Sequence, residues 1–191
     1  MVTYMFSFIL HYPSNIEIEQ EKEKLTHLSI DHWLQHDFLS PNWWILFLAT
    51  IIPYFIWWKL VDKNRFFEIF SYGMVCATFC MLLDVIGTEF MLWSYPDKII
   101  PIITPLIPAN LVIIPISAMI VYQYFSNWKH FMLATLGWSI LFSYIIEPLF
   151  ILRKMFELGE HWSHTRSFIG FIILGFILKS IFEKIKKTLP N

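Results

Sequence analysis

Charge is scarce in this chain of 191 residues: Asp, Glu, Lys and Arg make up 15% of it, against about a quarter of a soluble domain. The 14 basic and 15 acidic side chains nearly cancel, so the basic footprint of a nucleic-acid-binding protein is missing and no nucleic acid is expected as a partner. Cysteine is limited to Cys76 and Cys80, inside one apolar run, which leaves neither a disulfide framework nor zinc-finger spacing. Glycine is sparse too, six in all. There is no Gly-rich phosphate loop, no Gly-x-Ser-x-Gly elbow and no His-Glu-x-x-His. No catalytic residue, cofactor or metal is therefore expected.

What is plentiful is apolar surface. Hydrophobic residues make up 57% of the chain and aromatics 19%, grouped in long runs of the kind a bilayer requires. These features predict an all-α, polytopic transmembrane helical bundle of about five spans, preceded by an amphipathic surface helix. Residues 1–40 form the interfacial and amphipathic segment, 41–183 the membrane domain and 184–191 a basic tail.

Met1 to Leu10 is apolar but reaches only ~15 Å as a helix, too short for a ~30 Å hydrocarbon core. It lacks a positive n-region and a small-residue cleavage site, and reads as a partly inserted, interfacial terminus. Ser14 and Glu17 have capping-box spacing. Beyond a solvated stretch of Glu and Lys, Ile30, Trp33, Leu34 and Phe38 share one helical side, which predicts a helix whose second half lies on the membrane surface.

Ser40 and Pro41 read as an N-cap followed by proline at the first helical position. The first span, Trp43 to Trp58, is uncharged, with tryptophan pairs ~22 Å apart marking its two interfaces and Pro53 as an expected kink. The second starts after Arg65 and runs towards Trp93. The third has Pro101, Pro105 and Pro108 in its entry, so an irregular start should precede a regular helix from about Ala109 to Tyr124. The fourth runs from Phe131 to about Phe150 and the fifth from Ser167 to about Phe182. An odd count puts the termini on opposite sides. With the amino terminus outside, Lys59, Lys63, Arg65, Lys129, Lys179 and the tail lysines fall inside, against Lys22, Lys24, Lys98, Arg153, Lys154 and Arg166 outside. This narrow majority predicts an external amino terminus and a cytoplasmic tail.

Several short segments together are distinctive: Ser40-Pro41 before Trp43, Phe55-Ile56-Trp57-Trp58-Lys59-Leu60-Val61-Asp62, Asp84-Val85-Ile86-Gly87, Leu92-Trp93-Ser94-Tyr95-Pro96, Pro101, Tyr122-Gln123-Tyr124-Phe125 and Glu147-Pro148. Over roughly Leu39 to Phe182 the chain resembles an uncharacterised family of small multi-pass membrane proteins from spore-forming Gram-positive bacteria. The resemblance implies a membrane bundle in a bacterial plasma membrane. It implies no activity, ligand or partner.

Asp84 and Glu147 are the most informative positions, since a carboxylate at the centre of a span costs ~2.5–3.5 kcal/mol on insertion scales. Asp84 lies ~28 Å along its helix from Arg65 and Glu147 ~27 Å from Lys129. The second and fourth spans run the same way, so both acids should reach one level near the outer interface. There they either share a proton or cation with coupled ionisation, or sit hydrated and independent among headgroups. Glu89 should lie outside the core. Asn110, just after the prolines, is a third candidate polar or ion-site residue, the alternative being an interhelical hydrogen bond, as for Gln123. Tyr122 reads as an interfacial aromatic. His32 and His36 share a face near Asp31 and Asp37, but a solvated helix explains them without zinc. His161 and His164, on the outer loop, carry similar weight, the alternative being a joint outer site with Asp84 and Glu147. Cys76 and Cys80 read as buried, packing thiols.

The leading functional expectation is a non-enzymatic membrane component or partner subunit, its partners the lipid bilayer and another membrane protein. The alternative is a small transporter or channel-like protein that uses Asp84 and Glu147 with the proline-broken third span; its mark would be a shared, hydrated cavity between the carboxylates. A third class is a lipid-modifying enzyme, since the intramembrane acid, Trp93 and the proline-rich segment bear a distant resemblance to membrane-bound lycopene cyclases. Those carry paired glutamates after a proline, whereas Pro108 here precedes Ala109 and Asn110, so the acids that chemistry needs are missing.

Overall fold

The computed structural model describes residues 13–188. The interfacial terminus expected over Met1 to Leu10, and the tail beyond Thr188, lie outside the described residues. Helix α1 (Asn15–His32) starts at the expected box: the Ser14 hydroxyl accepts from the Glu17 amide at 3.2 Å, and the Glu17 carboxylate accepts from the Ser14 amide at 2.7 Å. No residue of α1 is buried. The chain docks where α1 ends in a π turn, Trp33–Asp37. There the Trp33 indole donates to the Lys98 carbonyl at 2.9 Å and Asp37 is buried, while Leu34 and Phe38 remain exposed.

Ser40 caps α2 (Pro41–Leu60), its hydroxyl accepting from the Trp43 amide at 3.1 Å, and Pro53 lies inside the helix. After a short turn at Lys63–Arg65 comes α3 (Phe66–Glu89). The stretch carrying Pro101 and Pro105 is irregular, as the prolines predict, but a π turn, Pro108–Ile113, then leads into α4 (Ile114–Tyr124), so the regular helix starts at Ile114 rather than at Ala109. Helix α5 (Trp128–Leu141) continues through a second π turn, Phe142–Ile146, into α6 (Glu147–Leu152), and α7 spans His164–Thr188. Three of these units are long and apolar enough to cross a membrane: α2, α3 with its leading turn, and the continuous α5–α6 helix. Pro108–Tyr124 is a shorter apolar helix.

Both π turns of the bundle precede a proline. A helical proline offers no amide to the carbonyl four residues back and collides with it, so the turn widens to the π register. For Pro115 that carbonyl is Leu111, which accepts from the Tyr54 hydroxyl at 3.3 Å; for Pro148 it is Tyr144, inside the Phe142–Ile146 turn.

Helices α3 and α6 end alike. After α3, Leu92 N–H reaches the Gly87 carbonyl at 2.9 Å and Met91 N–H the Thr88 carbonyl at 3.0 Å. After α6, Met155 reaches Phe150 and Lys154 reaches Ile151, both at 2.9 Å. These are Schellman caps, with Met91 (φ 53°) and Lys154 (φ 58°) where glycine is usual. The chains leaving the two caps then pair as short antiparallel strands, β1 (Trp93–Ser94) with β2 (Glu157–Leu158). That pairing closes one end of the bundle. The largest buried cluster lies further along, around Tyr72, Tyr122, Phe131, Trp138 and Phe182. Helices approach closely where small residues allow it: a Cβ on Gly73 would strike Met119, and one on Gly175 would strike Thr135.

Candidate functional site

Asp84 lies near the capped end of α3 and is 4% exposed. Four donors converge on its carboxylate. Oδ1 accepts from the Trp93 indole at 2.6 Å and the Tyr95 hydroxyl at 2.7 Å; Oδ2 accepts from the Leu106 amide at 3.0 Å and from the Asn110 side-chain amide. Asn110 also donates to the Leu106 carbonyl at 3.2 Å. One carboxylate thus ties α3 to the loop after it and to the π turn opening the third apolar segment. Burial, and then Asp84 itself, push the Tyr95 phenol well above its usual range, so Tyr95 remains a donor.

Glu147 occupies the first position of α6 and is half-buried. Its Oε2 is 2.8 Å from His164 Nδ1, at the start of α7. Of the two outer histidines in the sequence, His164 therefore belongs to the site, while His161 is exposed.

Asp84 and Glu147 line one cavity of about 340 Å³ enclosed by α3, the π turn with α4, the α5–α6 unit and α7. Asn110 and Cys80 lie on the same wall. The rest of the lining is mostly apolar and rich in aromatics, including Phe142, Phe150, Phe156 and Phe171. Trp93 and Trp162 meet edge to face, 4.8 Å between centroids, at the end closed by β1 and β2. Gly87 is required there, because a Cβ would overlap the Trp93 indole. The structure thus brings together all three candidate polar residues, Asp84, Glu147 and Asn110, but gives each carboxylate its own donors.

Other expectations fare differently. Tyr122 does not project from the bundle as a surface aromatic: it is 1% exposed, stacks on Tyr72 at 4.1 Å and donates to Glu68 at 2.7 Å. The correction has a physical cause, since Glu68 needs donors and also receives Arg65 at 2.9 Å and Lys186 at 2.5 Å. Lys179, assigned to the inner flank, is 1% exposed, donates to the Ser126 carbonyl at 2.8 Å and pairs with Glu183 at 3.2 Å. Gln123 bridges the turn after α2, accepting from the Asp62 amide and donating to the Leu60 carbonyl. Glu89 is exposed. Cys76 and Cys80 are free and buried, their sulfurs 4.0 Å apart. His32 lies 3.7 Å from Asp37 and its ring 4.8 Å from that of His36. Among the described residues, no three His, Cys, Asp or Glu side chains come together as a metal site would require.

Sequence reasoning missed the partners of Asp84. Trp93 and Tyr95 follow Asp84 by 9 and 11 residues across a tight cap, and the one signal for them was a donor-rich Trp-Ser-Tyr segment just past a buried acid. His164 had a signal too, a histidine at the start of the last span opposite an acid at the end of the fourth. No known protein family, curated protein or solved structure matches the chain.

Proposed function

We propose that this chain is an integral membrane protein of five helical spans: a non-enzymatic component that holds an apolar molecule within its bundle. The spans are α2, α3, the Pro108–Tyr124 unit, α5–α6 and α7. The first, second and fourth have the length and apolarity to cross. The third is ~25 Å long and α7, of 25 residues, ~37 Å. The α1 segment lies on the surface, the amino terminus faces outside and the basic tail faces the cytoplasm. The bilayer is that of a bacterial plasma membrane, as the family resemblance implies, and another membrane protein is the partner the small size leaves room for.

The observation that carries the reading is the cavity. Its volume falls within the ~300–1,000 Å³ of small-molecule sites, and a mostly apolar wall with a few convergent polar groups is the usual make-up of such sites. Native mass spectrometry of the purified chain tests it. Wild type should carry one small apolar molecule per chain, and Ile146→Trp, which narrows the cavity from its half-buried wall, should carry none. Equal occupancy of the two, or none in either, would refute the reading.

A transporter or channel using Asp84 and Glu147 is the second reading, favoured by their common cavity. Against it stand the four donors that fill the Asp84 carboxylate and leave little room for a cation or a mobile proton.

A further inference from the structure

The wall and mouth of the cavity narrow what it can hold, an inference that rests on the apolar-ligand reading above. Of the lining residues, three are exposed: Leu83 and Ile86 of α3 and Gly170 of α7. These two helices are packed at their other ends, where Tyr72 meets Phe182 edge-on at 5.1 Å and Lys186 pairs with Glu68. Towards Asp84 both helices line the cavity. The mouth thus faces sideways into the surrounding lipid, while the β1–β2 pair and the Trp93–Trp162 contact close the end of the bundle.

The wall offers acceptors and no cation. Two carboxylates line it and no Lys or Arg does, so a phosphate or carboxylate head would meet like charge in a low dielectric with nothing to neutralise it. Asp84 has its own donors. Glu147, with His164 beside it, is the acceptor a hydroxyl can reach. A cavity of about 340 Å³ lies at the small end of the ~300–1,000 Å³ of small-molecule sites, which suits one lipid chain rather than two.

We infer that the ligand is a single-chain lipid with an uncharged, hydroxyl-bearing head, taken up from the bilayer through the α3–α7 gap with its head beside Glu147.

The test uses the full chain in phosphatidylcholine nanodiscs with two photoactivatable probes, a dodecanoyl monoglyceride and the matching fatty acid. The monoglyceride should form adducts on residues 80–87 and 167–174, and the fatty acid on the order of tenfold fewer at neutral pH. Gly170→Trp and Gly137→Trp are the paired variants. A Cβ at either position meets nothing within 4 Å, so both are tolerated, but only Gly170 stands at the mouth. Gly170→Trp should cut the adducts by on the order of tenfold and Gly137→Trp should leave them unchanged. Equal adduct yields in the two variants would overturn lateral entry while leaving the cavity reading intact. Equal labelling by the fatty acid would overturn the head-group assignment alone. No cavity adduct from either probe would overturn the inference and the apolar-ligand reading together.

Discussion

Replacing Asp84 by alanine takes the acceptor away from four donors at once: the Trp93 indole, the Tyr95 hydroxyl, the Leu106 amide and the Asn110 side chain. Polar side-chain bonds inside membrane bundles average ~0.6 kcal/mol with a ceiling near ~1.7, so the three side-chain donors contribute ~1.8 kcal/mol. The buried Leu106 amide would be left without an acceptor, which adds ~1–3 kcal/mol. Asn110 keeps its bond to the Leu106 carbonyl and adds nothing further. No longer burying a carboxylate works the other way, and the net expectation is a loss of about 2–4 kcal/mol. Trp93→Phe and Tyr95→Phe, each removing one donor, should cost ~0.6–1.7 kcal/mol. Reversible unfolding in mixed micelles, followed by circular dichroism, measures all three. An alanine variant within ~0.5 kcal/mol of wild type, with both phenylalanine variants silent, would refute the four-donor assignment.

Asp84→Asn and Glu147→Gln should be additive within ~0.5 kcal/mol in a double-mutant cycle, since the two carboxylates have separate donors; a larger coupling would favour the transporter reading. Met91→Gly and Lys154→Gly should each stabilise the fold by ~1 kcal/mol, because both residues hold a left-handed conformation that costs L-residues about that much. Unchanged melting temperatures would contradict the Schellman caps. Burial and, next, Asp97 raise Asp37 above its ordinary 3.8, with His32 opposing. A raised carboxylate favours the docked end of α1 at low pH and loses that contribution as the pH climbs from 3.8 through the higher folded value. Hydrogen exchange over residues 33–40 should therefore quicken with rising pH beyond its intrinsic trend, and Asp37→Asn should remove the excess.

Local signals were legible and non-local ones were not. Ser14 with Glu17, and Ser40 with Pro41, are caps whose chemistry acts within four residues, so spacing alone placed the starts of α1 and α2. Pro101 and Pro105 announced the irregular stretch before the third apolar segment for the same reason, while the π turn at Pro108–Ile113 belongs to Pro115. Pro148 carried the same information about Phe142–Ile146, and a proline read against the carbonyl four residues back would have predicted that turn. Asp84 stood out because a carboxylate in an apolar run needs partners, but the partners arrive after a reversal whose left-handed residue is Met91 rather than glycine, which hides the turn. In the Glu68 cluster Arg65 stands three residues away, a readable helical spacing, but Tyr122 and Lys186 come from distant segments that no periodicity links to it. The cavity was the least legible feature, because its wall is drawn from α3, the Pro108–Tyr124 unit, α5–α6 and α7, which are far apart in the chain.

The central claim is that an apolar chain occupies the space bounded by Asp84, Phe142, Glu147 and Gly170. Crystals grown from a lipidic mesophase doped with a chain-brominated monoglyceride test it most directly, since bromine is located by its anomalous scattering. A bromine peak is expected inside that cavity in wild type, and its loss in Ile146→Trp. Bromine peaks confined to the outer, lipid-facing sides of the helices, with the cavity holding only water, would contradict it.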